Sequence, residues 1–199
     1  MKRGVKKQSS TSGSIRVISG LYRGRRLPVV DAQGLRPTTD RMKETVFNWL
    51  MADVAKSDCL DMFAGSGSLG IEALSRYAQS CTFLELDKAA AKRIQGNLET
   101  LKISTDTASV IQGDAFDTCG RLTKKFDLVF IDPPFNHGLV PKSIESLNQN
   151  DLVKNQGLIY IECESSNQHY ATPDSWRCFK EKNTQSVSSR LFIVEKTNT

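Results

Sequence analysis

The chain has 199 residues, of which 39% are hydrophobic and 25% are charged, with 13 glycines and 6 prolines. This length fits one domain that folds without disulfides or metal, and the near-average composition excludes collagen-like, coiled-coil and wholly disordered proteins. No apolar run approaches the ~18 residues of a membrane span, and no apolar segment follows the basic N-terminus. A soluble, cytoplasmic protein without a membrane partner is therefore expected.

The positive charge is concentrated at the start of the chain. The net charge is +5, but residues 1–50 contain eleven Lys and Arg against three Asp and Glu, a net +8. The remaining residues therefore carry −3. A one-sided basic region is typical of a nucleic-acid partner, because it neutralises phosphates. The alternative interpretation is a solvated tail that keeps the protein soluble.

Cysteines and histidines set further limits. The five cysteines are odd in number, widely spaced and without a CxxC pair, which excludes a complete disulfide framework and a zinc ribbon. Three of them lie in apolar, strand-like runs, where a reduced cysteine acts as a small hydrophobe, and a reducing cytosol fits this usage. The only two histidines, His137 and His169, are too few for a histidine-based metal site. No metal is expected.

The N-terminal part predicts a tail, a hairpin and a helix. Residues 1–14 are rich in Lys, Ser and Gly, which predicts disorder. Residues 15–18 alternate apolar and polar, a Ser-Gly turn follows, and residues 21–30 form a second extended stretch, so a basic β-hairpin is expected. Asp40 is predicted as the N-cap of the next helix, which has apolar residues at helical spacing and Lys43 facing solvent.

The rest of the chain alternates strands and helices. Strand-like runs occur at residues 59–63, 82–86, 109–112, 127–131 and 158–162. Helical stretches occur at residues 68–77, 88–101, 115–122 and 141–147. This order predicts a parallel sheet with right-handed crossovers. Residues 176–180 and 190–195 are extended runs with no helix between them, which predicts an antiparallel pair at the sheet edge. The fold class is α/β with a basic, β-rich N-terminal extension.

A glycine-rich loop follows the first core strand. Gly65, Gly67 and Gly70 satisfy the pattern GxGxxG, and Glu85 follows Gly65 by 20 residues, at the end of the second strand. The glycines allow a tight turn and close backbone approach to a ligand, and the acid can bind a ribose diol. The alternative is a tight strand-to-helix turn that binds nothing.

Two further acids indicate which nucleoside binds. A dinucleotide and S-adenosylmethionine use the same loop geometry, but Asp61 at the strand end repels a pyrophosphate and attracts the cationic amino group of methionine. Asp114, in the segment GDAF after the third strand, is placed to meet the exocyclic amine of adenine. Asp114 is also a natural N-cap for the short helix after it, and the two roles are compatible.

The loop after the fourth strand has the sequence Asp132-Pro133-Pro134-Phe135. Consecutive prolines fix the backbone and remove two donors, so the loop is stiff and its carbonyls are free to accept hydrogen bonds. Such a loop can stack a planar base on Phe135 while Asp132 and a proline carbonyl accept from its exocyclic NH₂. Those bonds orient the nitrogen lone pair toward a methyl group and stabilise the developing charge. The alternative is an ordinary proline-rich turn.

Taken together, DMFAGSGSLG, LELD, GDAF and DPPF resemble the class I S-adenosylmethionine-dependent methyltransferases that modify exocyclic amino groups of bases. The segments IRVISGLYRGRRLPV and LRPTTDR, with ETVFNWL after them, narrow the resemblance. They are similar to the bacterial 16S ribosomal RNA guanine-N2 methyltransferase family, often written RsmD. The similarity runs from about residue 15 to residue 195 without a departure in these motifs.

The resemblance implies a Rossmann-like, mostly parallel seven-stranded sheet and a role for each motif. S-adenosylmethionine, released as S-adenosylhomocysteine, is expected to contact Asp61, Phe63, Gly65, Gly67, Glu85, Asp114 and Ala115. The catalytic loop that receives a flipped guanine is expected to be Asp132, Pro133, Pro134 and Phe135. Contacts to RNA are expected from Arg16, Arg23, Arg25, Arg26, Arg36, Pro37 and Thr38.

The same resemblance implies the organisation and the partner. Residues 1–14 are the tail, residues 15–50 the RNA-contacting hairpin and helix, and residues 51–199 the methyltransferase core. The expected substrate is one guanine of 16S rRNA in the head of the small subunit, near the P site, within a partly assembled particle. A monomer is expected.

Three alternatives remain open from the residues alone. A DNA or RNA adenine-N6 methyltransferase uses a similar loop, and only the resemblance favours guanine N2. An NAD-dependent oxidoreductase also uses GxGxxG, but it needs an acid or base where Asp-Pro-Pro-Phe stands. A non-catalytic RNA-binding protein that keeps the fold is the third. His137 beside the loop either contacts RNA or is merely exposed to solvent.

Overall fold

The computed structural model describes residues 13–30 and 40–196, which form five α-helices and two sheets. The small sheet pairs β1 (Ser14–Arg16) antiparallel with β2 (Arg26–Pro28). The helices are α1 (Asp40–Trp49), α2 (Ser68–Ser75), α3 (Lys88–Thr100), α4 (Ala115–Cys119) and α5 (Leu139–Gln149). The strands of the large sheet are β3 (Asp58–Asp61), β4 (Ser80–Glu85), β5 (Ala108–Gln112), β6 (Phe126–Ile131), β7 (Val153–Glu164), β8 (Trp176–Asn183) and β9 (Val187–Val194). Most of the predicted tail and the residues Arg36, Pro37 and Thr38 lie outside the described residues.

The large sheet has the strand order β5-β4-β3-β6-β7-β9-β8. The ladders from β5 to β7 are parallel, and β9 pairs antiparallel with both β7 and β8. One apolar cluster joins α1, α2, α3 and the hairpin to one face, and a second joins α4 and α5 to the other. Coverage of both faces explains why the central strands are almost wholly apolar. The α/β prediction with an antiparallel edge pair is confirmed.

The structure differs from the sequence predictions at the N-terminal segments. The second extended stretch is only three residues long, because the chain turns over residues 21–24 between Gly20 and Gly24, which have φ of 79° and 81°. Asp40 is the first residue of the described helix, and the residue before it lies outside the described ranges. The prediction that Lys43 faces solvent is wrong. Its side chain is 2% exposed, because the hairpin covers this face of α1, and its Nζ lies 2.5 Å from the carbonyl oxygen of Arg16.

The hairpin is fastened to α2 by hydrogen bonds. The buried carboxylate of Glu72 accepts the backbone N–H groups of Ile18 (2.7 Å) and Ser19 (3.0 Å). The hydroxyl of Ser75 accepts the N–H of Tyr22 at 3.0 Å. A Cβ on Gly20 would lie 1.8 Å from the carbonyl oxygen of Ser75, so only glycine permits this contact. The hairpin tip is thus held at the C-terminal end of α2.

None of the helices within residues 13–30 and 40–196 combines the length and apolar character that crossing a bilayer requires. Over the same ranges, no three His, Cys, Asp or Glu side chains are grouped as the ligands of a metal ion.

Candidate active site

Acidic side chains gather at the carboxyl edge of the parallel strands. Asp61 ends β3, Glu85 ends β4, Asp114 follows β5 and Asp132 follows β6. Parallel strands end at one edge of a sheet, which is where open α/β sheets bind ligands. Glu85 and Asp132 lie close enough to Asp61 for their negative charges to raise its pKa. The structure therefore brings these three predicted site residues together.

The glycine-rich loop joins β3 to α2. Gly65 and Gly67 have φ of 53° and 75°, in the left-handed region that glycine adopts without strain. Gly67 is the N-cap of α2 and makes no side-chain cap bond. A Cβ on Gly70 would lie 2.2 Å from Cε1 of the buried Phe83, so the third glycine allows α2 to pack on β4. The loop thus makes the tight turn that the pattern predicts, and its close approach to a ligand stays a prediction.

Asp61 is a buried acid, 2% exposed, whose carboxylate accepts the backbone N–H of Gly70 at 3.0 Å. The pKa of Asp61 is raised to about 7, mainly by burial, which the Gly70 bond opposes and the negative charges of Asp132 and Glu85 reinforce. At the start of α2, the buried Oγ of Ser68 has no hydrogen-bond partner within the described residues. A buried carboxylate and a buried hydroxyl at a glycine-rich loop fit a ligand with a cationic, hydrogen-bonding group, such as the methionine end of S-adenosylmethionine.

Glu85 and Asp114 hold backbone N–H groups in this structure. Glu85 accepts those of Gly65 (2.6 Å) and Asp87 (2.8 Å), and burial raises the pKa of Glu85. Asp114 caps α4 by accepting the N–H groups of Phe116 (2.8 Å) and Asp117 (3.1 Å). The capping role expected for Asp114 is confirmed, and its contact with adenine stays a prediction.

An aromatic pair flanks this part of the edge. The rings of Phe63 and Phe116 meet edge to face with centroids 6.2 Å apart, and Ala115 between the two loops is buried. Phe63 was predicted as a cofactor contact. Phe116 was not, because its place beside Phe63 depends on how the loops after β3 and β5 approach each other.

The Asp-Pro-Pro-Phe loop is held at both ends. Pro133 is buried, Pro134 exposed and Phe135 half-buried. The next residue, Asn136, has a φ of 66°, and its N–H donates to the carboxylate of Glu164 at the end of β7. His137 is exposed. Burial acts to raise the pKa of Glu164, but hydrogen bonds, first among them the one from the Asn136 N–H, lower it below its usual range.

One cleft borders this loop, and a second lies on the other face of the sheet. A cleft of about 190 Å³ lies on the α5 side, lined by Pro133, Pro134 and Tyr170 among others. A larger cleft of about 480 Å³ lies on the opposite side, between α1 and the β8–β9 hairpin. No local pattern in the sequence indicates either cleft, because their walls come from segments far apart in the chain.

The predicted RNA-contacting arginines lie elsewhere. Arg16, Arg23, Arg25 and Arg26 are all exposed on the hairpin. The hairpin tip is bonded to the C-terminal end of α2, whereas the glycine-rich loop is at its N-terminal end. The structure therefore keeps the tip arginines away from the acidic edge.

This sheet order, with a glycine-rich loop after β3 and an acid at the end of β4, defines the chain as a class I methyltransferase fold. A family profile described as Conserved hypothetical protein 95 matches residues 15–193. The Ribosomal RNA small subunit methyltransferase D of Haemophilus influenzae is 49% identical over 92% of this chain and 95% of its own length, and that of Escherichia coli is 44% identical over 96% and 95%. A solved structure of the Escherichia coli protein yhhF, named as a methyltransferase, superimposes with a TM-score of 0.85 at 44% identity, covering 92% of this chain and 99% of that one. The chain belongs to the ribosomal RNA small subunit methyltransferase D family.

Proposed function

We propose that this protein transfers a methyl group from S-adenosylmethionine to the exocyclic N2 of one guanine in 16S ribosomal RNA. Relatives that are named as methyltransferases of small-subunit rRNA support the substrate class. The observation that carries the proposal is that the buried Asp61 pairs in register with Phe130, two residues before Asp132 of the Asp-Pro-Pro-Phe loop. A group that can hold an amine is thus next to one that can hold the methyl donor.

The residues divide between cofactor and base. S-adenosylmethionine supplies an electrophilic methyl group when bound. Asp61 holds its cationic amino group, the loop of Gly65 and Gly67 presents backbone N–H groups, and Glu85 accepts from the ribose. Asp114 accepts from the adenine amine, beside Ala115 and the ring of Phe63.

The catalytic loop acts on the guanine. The Asp132 carboxylate and the Pro133 carbonyl accept hydrogen bonds from the N2 amine, which aims its lone pair and stabilises the positive charge that develops there. Stacking on Phe135 contributes roughly 1–3 kcal/mol toward holding the base outside its stack. The proton leaves the nitrogen after transfer, so no prior deprotonation is needed.

The basic N-terminal part supplies affinity for the RNA. Residues 15–50 carry the hairpin arginines and contact phosphates, and residues 51–199 carry the chemistry. Phosphate contacts offset the few kcal/mol of unstacking the target nucleotide. The substrate is a partly assembled small subunit, on which the protein acts as a monomer.

We expect Asp61→Asn to have opposite effects on cofactor binding and on stability. The ionised Asp61 attracts the cofactor cation, so wild-type affinity should rise with pH up to about 7 and then level off. Because the folded protein holds a proton on Asp61 that the unfolded chain has lost above pH 4, wild-type stability falls between pH 4 and about 7. Asn removes both effects while its amide oxygen still accepts the Gly70 N–H.

Calorimetric titration of S-adenosylmethionine and thermal unfolding from pH 5 to 8 check this expectation. At pH 8, Asp61→Asn should bind the cofactor at least ~10-fold more weakly, equivalent to about 1.4 kcal/mol, and unfold at a higher temperature than wild type when cofactor-free. An unchanged affinity with a flat pH profile in wild type would contradict the assignment.

The function is tested by methyl transfer from labelled S-adenosylmethionine to small-subunit particles from a strain that lacks the enzyme. The product nucleoside is identified by mass spectrometry. N2-methylguanosine is expected. N6-methyladenosine would keep the enzyme class and overturn the base, and transfer to DNA alone would overturn the RNA substrate.

A further inference from the structure

We infer that the cleft between α1 and the β8–β9 hairpin binds the phosphate backbone of the substrate RNA next to the target nucleotide. This inference rests on the proposed function and deepens it. The cleft measures about 480 Å³. Tyr160 and Ser189 line its buried side, and Arg41, Thr45 and Lys182 line its rim.

The cleft lies on the catalytic side of the sheet. Tyr160 pairs in register with Phe130 on β6, two residues before Asp132, and both aromatic side chains pack in the cluster beneath α1 and α2. Burial raises the pKa of Tyr160, and the negative charges of Glu162 and Asp132 add to this, so Asp132 is within electrostatic reach of the cleft. A strand of RNA in the cleft therefore passes the catalytic loop on the side where Asp61 lies.

The polar groups of the cleft suit an anion. Arg41 and Lys182 approach from α1 and β8, and the Nζ of Lys182 lies 3.1 Å from the hydroxyl of Thr45. None of the described residues that line the cleft is acidic, and the nearby buried carboxylate of Glu162 accepts a hydrogen bond from the Tyr160 hydroxyl at 2.7 Å. The turn between β8 and β9 adds three polar side chains, those of Thr184, Gln185 and Ser186. The nearby Glu181 is occupied by an ion pair with Arg190, at 2.8 Å.

The hairpin of β1 and β2 cannot provide this contact from its tip. The tip is bonded to Ser75, at the far end of α2 from the glycine-rich loop. The eight residues of α2 span roughly 12 Å at 1.5 Å per residue. Phosphate contacts fix the position of a protein along a nucleic acid, and the basic residues of the cleft can make such contacts near Asp132.

The test compares the double variant Arg41→Ala/Lys182→Ala with Lys180→Ala. Lys180 is exposed two residues before Lys182 on β8 and does not line the cleft, so Lys180→Ala controls for the loss of one positive charge beside it, and the single variant Lys182→Ala is its charge-matched counterpart. Methyl transfer to unmethylated small subunits is measured at several NaCl concentrations. The double variant should raise the KM for particles at least ~10-fold and flatten the slope of log affinity against log salt by about 1 to 2, whereas the control should change neither.

Three further measurements decide the interpretation. Cofactor affinity and the unfolding temperature should match wild type in the double variant, and Lys182→Arg should keep the wild-type KM. Equal KM and salt slope in the double variant and Lys180→Ala would overturn the inference while leaving the proposed function intact.

The failure of the proposed function has a different signature, namely no methyl transfer to particles by wild type. In that case the cleft is tested by fluorescence anisotropy with a labelled 16S rRNA fragment. A lower salt slope in the double variant than in Lys180→Ala would support an RNA-binding cleft, and equal slopes would overturn it.

Discussion

Asp132→Ala is expected to reduce kcat for methyl transfer by about 100- to 1000-fold, because it removes an oriented acceptor that stabilises charge developing in the transition state. Asp132→Asn should lose less, since an amide oxygen still accepts a hydrogen bond. The measurement is single-turnover transfer of label to small-subunit particles. Asp53→Ala, which changes an exposed acid outside the site, is the matched control.

The same variant carries an internal check on binding. The charge of Asp132 helps to raise the pKa of Asp61, so Asp132→Ala should lower that pKa. Cofactor affinity at pH 6 should then equal or exceed that of wild type, even as transfer is lost. A parallel loss of cofactor affinity and transfer at every pH would show that Asp132 supports the cofactor site rather than the base.

Glu72→Ala is expected to lower the free energy of unfolding by about 3–5 kcal/mol, because it removes a fully buried anion and leaves Arg76 and the buried Lys43 without its counter-charge. Glu72 accepts the N–H groups of Ile18 and Ser19 and pairs with Arg76 at 2.8 Å. Its charge also acts on the buried Lys43, whose pKa burial lowers and Glu72 raises. Urea denaturation at pH 7 measures the loss.

Two further variants separate the charge of Glu72 from its hydrogen bonds. Ser75→Ala removes a neutral group that also holds the hairpin, so it should cost only about 1 kcal/mol. Adding Lys43→Met to Glu72→Ala should recover part of the loss, because it removes the buried cation that Glu72 leaves behind. A loss under 1 kcal/mol for Glu72→Ala would mean that the hairpin is not held by this carboxylate.

Local patterns predict the core of this protein well. Strands that are separated by helices predict the parallel part of the sheet, and the last two extended runs, with no helix between them, predict the antiparallel edge. The tight turn at Gly65, Gly67 and Gly70 is also predictable from the sequence, because the residues that require it lie within about a dozen positions of one another. Asp61 and Glu85 follow because parallel strands must end at one edge.

The features that the sequence does not predict depend on distant partners. The amphipathic pattern of the helix predicts that Lys43 is exposed, but the hairpin, whose Arg16 lies 27 residues earlier in the chain, buries it. The cleft joins Thr45 to Lys182 across 137 residues, which no local pattern can report. The turn at residues 21–24 interrupts a stretch whose composition looks extended, because the backbone N–H groups of Leu21 and Tyr22 donate to Ser75 on α2.

The two ends of α2 adjoin the two regions to which the proposed function assigns S-adenosylmethionine and RNA. One end begins at the glycine-rich loop, and the other holds the basic hairpin through Ser75, with Glu72 between them. Because a helix of eight residues is too short to bend appreciably, we expect a shift at its glycine-rich-loop end to move the hairpin as well. With such a link, a ligand bound at one site changes the affinity of the other site for its ligand, and the factor is the same in both directions. Methyl donor and RNA would then each act as the other's effector, and the spent cofactor as a signal for release.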